Sequence, residues 1–140
     1  MVQAIAAMRA RVDDADGLEG TLAASWDAFE LIRMVALRRT ERADGSFAAF
    51  MLASASAANG RDVVGFAPSL PLGQAAKTDP GEAELGEVDL LADALAGLAS
   101  ALSARLLAAA RLAAHGADRA ACRDGAREAD NVHALLAQDG

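Results

Sequence analysis

The sequence predicts an all-α fold: a four-helix-type bundle with a short extra N-terminal helix and one long apolar loop. Three observations predict it. Of 140 residues, 38 are alanine, none is tyrosine, four are phenylalanine and one is tryptophan, whereas strands draw on β-branched and aromatic side chains. Apolar residues recur at helical spacing on both sides of a single aperiodic stretch. Glycine, proline and aspartate gather at the joints, where helices start and stop. A chain of this length buries roughly two-thirds of its unfolded surface, enough for one core without disulfides or metals. Residues 1–140 are therefore expected to form a single helical domain.

The first helix is expected from Val2 to about Val12, with Ile5, Met8 and Val12 on one side. Asp13, Asp14, Asp16 and Gly17 read as a turn, and Asp16 with Glu19 matches a capping box. A second helix then runs from about Leu18 to Glu41. Its Leu22, Ser25, Phe29, Ile32 and Ala36 share the core face, flanked by Trp26 and Val35. Met34 interrupts the charged opposite side, with Leu31 and Leu37 on its borders. Either another helix of the chain covers this trio or it is a subunit interface.

A third helix is expected from about Ser46 to Asn59, with Phe47, Phe50, Met51 and Ser54 on one side and Asn59-Gly60 as its C-cap. Its later turns carry so little bulk that a neighbouring helix can come close. From 61 to 78 the periodicity is lost, yet the stretch holds Val63, Val64, Phe66, Leu70 and Leu72. Disordered segments carry fewer large apolar side chains than this, so the loop is expected to dock, on its own bundle or on a second chain.

Asp79, Pro80, Gly81 and Glu82 read as the start of a long helix. Val88, Leu91, Leu95, Leu98, Leu102 and Leu106 line one side of it, and no charge lies between Ala94 and Ala104, so its middle is expected to be enclosed by other helices. His115 and Gly116 end it, and Asp118 is the expected cap of a last helix to about Ala137 whose face is Cys122, Gly125, Ala129, Val132 and Leu136. That helix is too short to cover Leu85, Val88 and Leu91. The first helix, the long loop or a second protomer must do so.

Chemistry is sparse, and no motif points to a known family. Cys122 and His133 lie eleven positions apart on one helix, about 16 Å, which is too far for a nucleophile and its base. Asp130 and His133 make one carboxylate-x-x-His pair, but a di-iron bundle needs two such motifs and more carboxylates, and a surface ion pair accounts for it. The acidic run from Asp79 to Asp93 lacks the pattern of a calcium loop, and no glycine pattern forms a phosphate loop. No cofactor and no metal are expected.

A formal charge of −7 disfavours nucleic acid, and the basic cluster Arg38, Arg39 and Arg42 is interrupted by Glu41 and has no aromatic companions. The longest uncharged run, Gly45 to Gly60, spans sixteen residues, short of the roughly 18–20 needed to cross a bilayer. No membrane association is expected. One cysteine and an N-terminus unlike a signal peptide favour the cytoplasm, and twelve arginines to one lysine suggest a GC-rich bacterial genome.

The function expected is that of a non-enzymatic cytoplasmic protein acting through self-association as a homodimer, or through an unidentified protein partner. Leu31, Met34, Leu37, Phe66, Leu70 and Leu72 are its candidate interface. The alternative is a binder of small apolar ligands, with a pocket between the second and third helices lined by Trp26, Phe29, Phe47 and Phe50.

Overall fold

The computed structural model describes residues 1–42, 47–71, 80–81 and 83–137, with only the backbone of Phe47. Five helices account for 82% of them, and no strand occurs among the described residues. They are α1 (Val2–Asp14), α2 (Gly17–Thr40), α3 (Phe47–Gly65), α4 (Val88–Leu112) and α5 (Gly116–Leu136). Helix α2 packs on α3, α3 on α5, α5 on α4 and α4 on α2, so these four close a bundle. Helix α1 lies outside the ring against α4 and α2.

Leu22, Ser25, Phe29, Ile32, Val35 and Ala36 of α2 are all buried, as the helical wheel requires. Helix α1 contributes Ile5 and Val12. The turn between them uses Gly17 at φ +69, which only glycine adopts without strain. Asp16 occupies the N-cap position of α2, but its side chain makes no capping hydrogen bond.

Helix α3 does not stop at Asn59-Gly60. It runs to Gly65, where Phe66 N–H donates to the Val63 carbonyl and Ala67 N–H to the Val64 carbonyl. Gly60 is there for close approach: a Cβ on it would lie 2.5 Å from Cε1 of the Phe29 ring. The first five residues of the expected loop are thus helical. After them Ser69 anchors the chain to α5, its backbone N–H donating to Asp118 Oδ1 at 3.0 Å and its hydroxyl to Oδ2 at 2.6 Å. Residues 72–78, the rest of that loop, lie outside the described residues.

Helix α4 begins at Val88, later than the Asp-Pro-Gly-Glu signal predicts. Gly81 and Gly86 have φ of +71 and +78, incompatible with a helix. Arg38 at the end of α2 donates to the Gly81 and Ala83 carbonyls at 2.9 and 3.2 Å, which ties both residues to α2. The expected caps Asp79 and Glu82 lie outside the described residues.

Helix α1 packs along α4, and the end of α2 lies by the segment that leads into it. Arg9 lies against Gly97 and Arg105 donates to the Ala15 carbonyl, so α1 runs alongside α4 in the same direction. Leu85 and Leu91 are both buried, Leu85 next to Arg39 and Arg42 at the end of α2. The uncharged middle of α4 is largely enclosed by α1, α2 and α5; of residues 94–104 Ser100 and Ala104 alone are exposed. By length and composition α4 is apolar enough to cross a membrane, and 44% of its most apolar window is buried in the bundle.

Helix α5 buries the small face foreseen, Cys122, Gly125, Ala129, Val132 and Leu136. A Cβ at Gly125 would meet Val64 at 3.0 Å and Leu106 at 3.2 Å, so its absence brings α5 close to α3 and α4 together. Asp118 is not the cap of α5. His115 holds that position, and Asp118 is buried in the first turn as the acceptor for Ser69.

Candidate self-association surface

Helices α2 and α3 form an antiparallel hairpin with one side on the core and the other on solvent. Its register follows from cross-helix contacts: Ser54 Oγ donates to the Arg33 carbonyl at 3.2 Å, Arg39 lies over the Phe50 ring at 5.7 Å, and Gly65 faces Trp26. A polar lock sits midway along the outer seam. Glu30 accepts from Arg33 Nε at 3.0 Å and Nη2 at 2.5 Å, and from Arg61 Nη1 at 2.7 Å. Arg61 also donates to Asp62 at 3.2 and 3.1 Å. Hydrogen bonds from Arg33 foremost, and from Arg61, hold the Glu30 carboxyl below its ordinary range against partial burial.

Apolar side chains lie on both sides of this lock. Towards the α2–α3 connection, Leu37 is 44% exposed, Met51 45% and Leu52 54%. At the other end Phe66 is 84% exposed, beside an open cleft of about 300 Å³ lined by Trp26, Arg61, Asp62, Gly65 and Phe66. Between Phe47 and Gly60 helix α3 has no charged residue on any side. Its outward positions there are Ala48, Met51, Leu52, Ala55 and Asn59.

The residues expected at an interface are therefore divided. Leu31 is buried in its own bundle, because the apolar face of α2 is wide enough to include it. Met34 is half-buried and Leu70 packs against the core. Leu37 and Phe66 do face solvent, and Leu72 lies outside the described residues. Met51, Leu52, Arg61 and Gly65 were missed. The sixteen-residue uncharged run was the available signal for the first two.

The residues expected to line a ligand pocket are divided as well. Phe29 and Phe50 are wholly buried core residues, Trp26 is half-buried at the cleft, and the Phe47 side chain is outside the described residues. A second open cleft, about 410 Å³, is lined by Arg39, Arg42, Glu84, Leu85 and Gly86.

Cys122 is buried, and burial together with the Asp118 charge pushes its thiol upward, away from the reactive thiolate. His133 Nδ1 lies 3.1 Å from the Ala96 carbonyl, linking α5 to α4 in place of the expected pair with Asp130. No group of three or more metal-ligating side chains occurs among the described residues.

Asp118 and Glu30 give the fold a defined response to acid. The Ser69 hydroxyl, then the Ser69 backbone N–H, hold Asp118 below its ordinary value. A depressed carboxyl contributes stability that is present above its unfolded-state value and lost as pH falls through the folded one, here below about pH 4. Ser69→Ala is expected to weaken the protein at neutral pH and to shrink the acid-induced fall in the urea midpoint.

The sequence matches no family model, and neither curated proteins nor solved structures yield a match.

Proposed function

We propose that this chain is a non-enzymatic helical protein that works by self-association, as a homodimer joined through the outer side of the α2–α3 hairpin. The observation that carries the reading is the uncharged run of α3. Its outward side presents Met51 and Leu52 level with Leu37, and otherwise only Ala48, Ala55 and Asn59. Surface helices of monomers place charged residues there. Small outward residues let a second helix approach closely, and a two-fold contact uses the same patch on both subunits.

The test is sedimentation at micromolar concentration, with a dimer expected. Leu37→Glu with Leu52→Glu places four charges in the joined surfaces and is expected to give a monomer of unchanged helix content, because both positions already face water. A wild-type monomer at about 100 μM, where an interface of standard size is saturated, refutes the proposal.

A further inference from the structure

We propose that α1 is a strap: it lifts from α2 and α4 as one unit while the four-helix ring stays folded, and the carboxyl of Asp27 beneath it sets how readily it lifts. The inference is independent of self-association. The ring of α2, α3, α5 and α4 closes without α1, which lies outside it. Of the 13 residues of α1 two are buried, Ile5 and Val12, against twelve of 24 on α2 and ten of 25 on α4. The free energy of local opening follows the apolar contacts an element must break, so α1 opens before the ring does.

The joint between α1 and α2 allows this motion. Ala15 and Asp16 are extended, with ψ of 134 and 127, and Gly17 turns the chain with φ +69. Ala15 N–H donates to the Val12 carbonyl, which closes the last turn of α1. The Asp16 side chain makes no capping bond to α2. Rotation at 15–17 therefore swings α1 without disturbing the helix that follows. Once lifted, 13 residues are at the length where an isolated helix is marginal in water, so its amides become exchangeable together. Lifting also uncovers apolar surface. Gly97 under Arg9 and Arg105 at the Ala15 carbonyl bracket the part of α4 that α1 covers, and no residue between them is charged.

Asp27 lies beneath this strap. It is 1% exposed, Arg11 Nη1 of α1 stands 2.5 Å from its Oδ2, and its Oδ1 has no hydrogen-bond partner among the described residues. The other charges nearby are engaged or in water: Arg9 lies on Gly97, Arg105 of α4 donates to Ala15, Asp13 and Asp14 are exposed, and Glu30 and Arg33 of α2 bond each other in the outer seam. With α1 down, burial raises the Asp27 carboxyl above its ordinary range, against the pull of Arg11. With α1 up, water reaches the carboxylate and that shift is relieved. Closure is therefore fully supported below the ordinary carboxylate value and loses this support as pH rises through the raised one.

Hydrogen exchange on the full chain tests the strap, read as protection factors, which remove the intrinsic effect of pH. At pH 7 the amides from Ile5 to Val12 are expected to share one protection factor, at least about tenfold below that of the slowest α4 amides, with a weaker dependence on urea. Their protection is expected to rise as pH is lowered to 4. Arg11→Ala is expected to lower it at least about fivefold at pH 7, and by less at pH 4. Asp27→Asn removes the titrating group and is expected to make α1 protection the same at pH 4 and pH 7. Amides of α1 that exchange at the rate of the slowest α4 amides, with the same urea dependence, overturn the proposal, because α1 then opens only with the whole bundle. Protection that falls gradually from Val12 to Ile5 also overturns it, as the signature of a fraying end. A pH dependence that persists in Asp27→Asn overturns the assignment to Asp27.

Discussion

Replacing Phe29 with alanine is expected to cost about 3–5 kcal/mol, a large share of the roughly 5–15 kcal/mol that holds a domain together. The ring is wholly buried. A Cβ at Gly60 would lie 2.5 Å from it and one at Gly125 3.8 Å, so it fills the space where α2, α3 and α5 meet. The complementary substitution is more discriminating. Gly60→Ala in an unobstructed helix would gain about 1 kcal/mol from propensity, but here it forces a methyl group into the ring. Overpacking of this kind costs about 1–3 kcal/mol, so the net change is expected to be destabilising. In a Phe29→Leu background, with the ring gone, much of that penalty should disappear. Urea midpoints at unchanged m-value measure all four proteins. A stabilised Gly60→Ala protein would show that the ring and the glycine are not in contact.

Arg11→Ala is expected to cost about 1–3 kcal/mol, by stranding a carboxylate. Asp27 is buried on α2, its Oδ2 2.5 Å from Arg11 Nη1 of α1. Burial raises the Asp27 carboxyl above its ordinary range, and the opposing pull of Arg11 does not cancel it. Since Arg11 is 41% exposed, water screens part of the pair, and the cost falls short of that of a fully buried one. A raised carboxyl contributes stability that is complete below its unfolded-state value and is lost as pH rises through the folded one. The Arg11→Ala defect should therefore shrink on acidification, opposite in sign to the response set by Asp118 and Glu30. Arg11→Ala combined with Asp27→Asn is expected to recover most of the loss at neutral pH. A defect that is the same at pH 4 and pH 7 would show that it comes from lost packing and not from the stranded charge.

Where a feature depended on neighbours along the chain, it was legible. The core face of α2 and the small face of α5 follow from helical spacing, and both are buried as the spacing requires. The surface proposed for association was legible only in part. Leu37 and Leu31 border the same side of α2, yet one is exposed and the other buried, because how far the neighbouring helices wrap round α2 depends on the whole bundle. The apolar character of the stretch after α3 was visible, but not that Leu70 turns inward while Phe66 turns out.

By itself the sequence determined that the chain is helical, which side of α2 and of α5 enters the core, and roughly where α1, α2 and α5 begin and end. These depend on side-chain periodicity and turn chemistry within a few residues. Tertiary structure decided the meaning of residues with two local readings. Asn59-Gly60 is an adequate helix stop, but Phe29, thirty-one positions earlier than Gly60, uses the missing side chain, and α3 continues. Asp118 is an adequate cap, but Ser69, 49 positions away, claims both its oxygens. Asp-Pro-Gly-Glu is an adequate helix start, but Arg38 holds the Gly81 and Ala83 carbonyls, and α4 waits until Val88. Caps contribute about 1 kcal/mol, less than a packed ring or a buried carboxylate with two donors, so the contact made across the fold prevails over the signal written beside it.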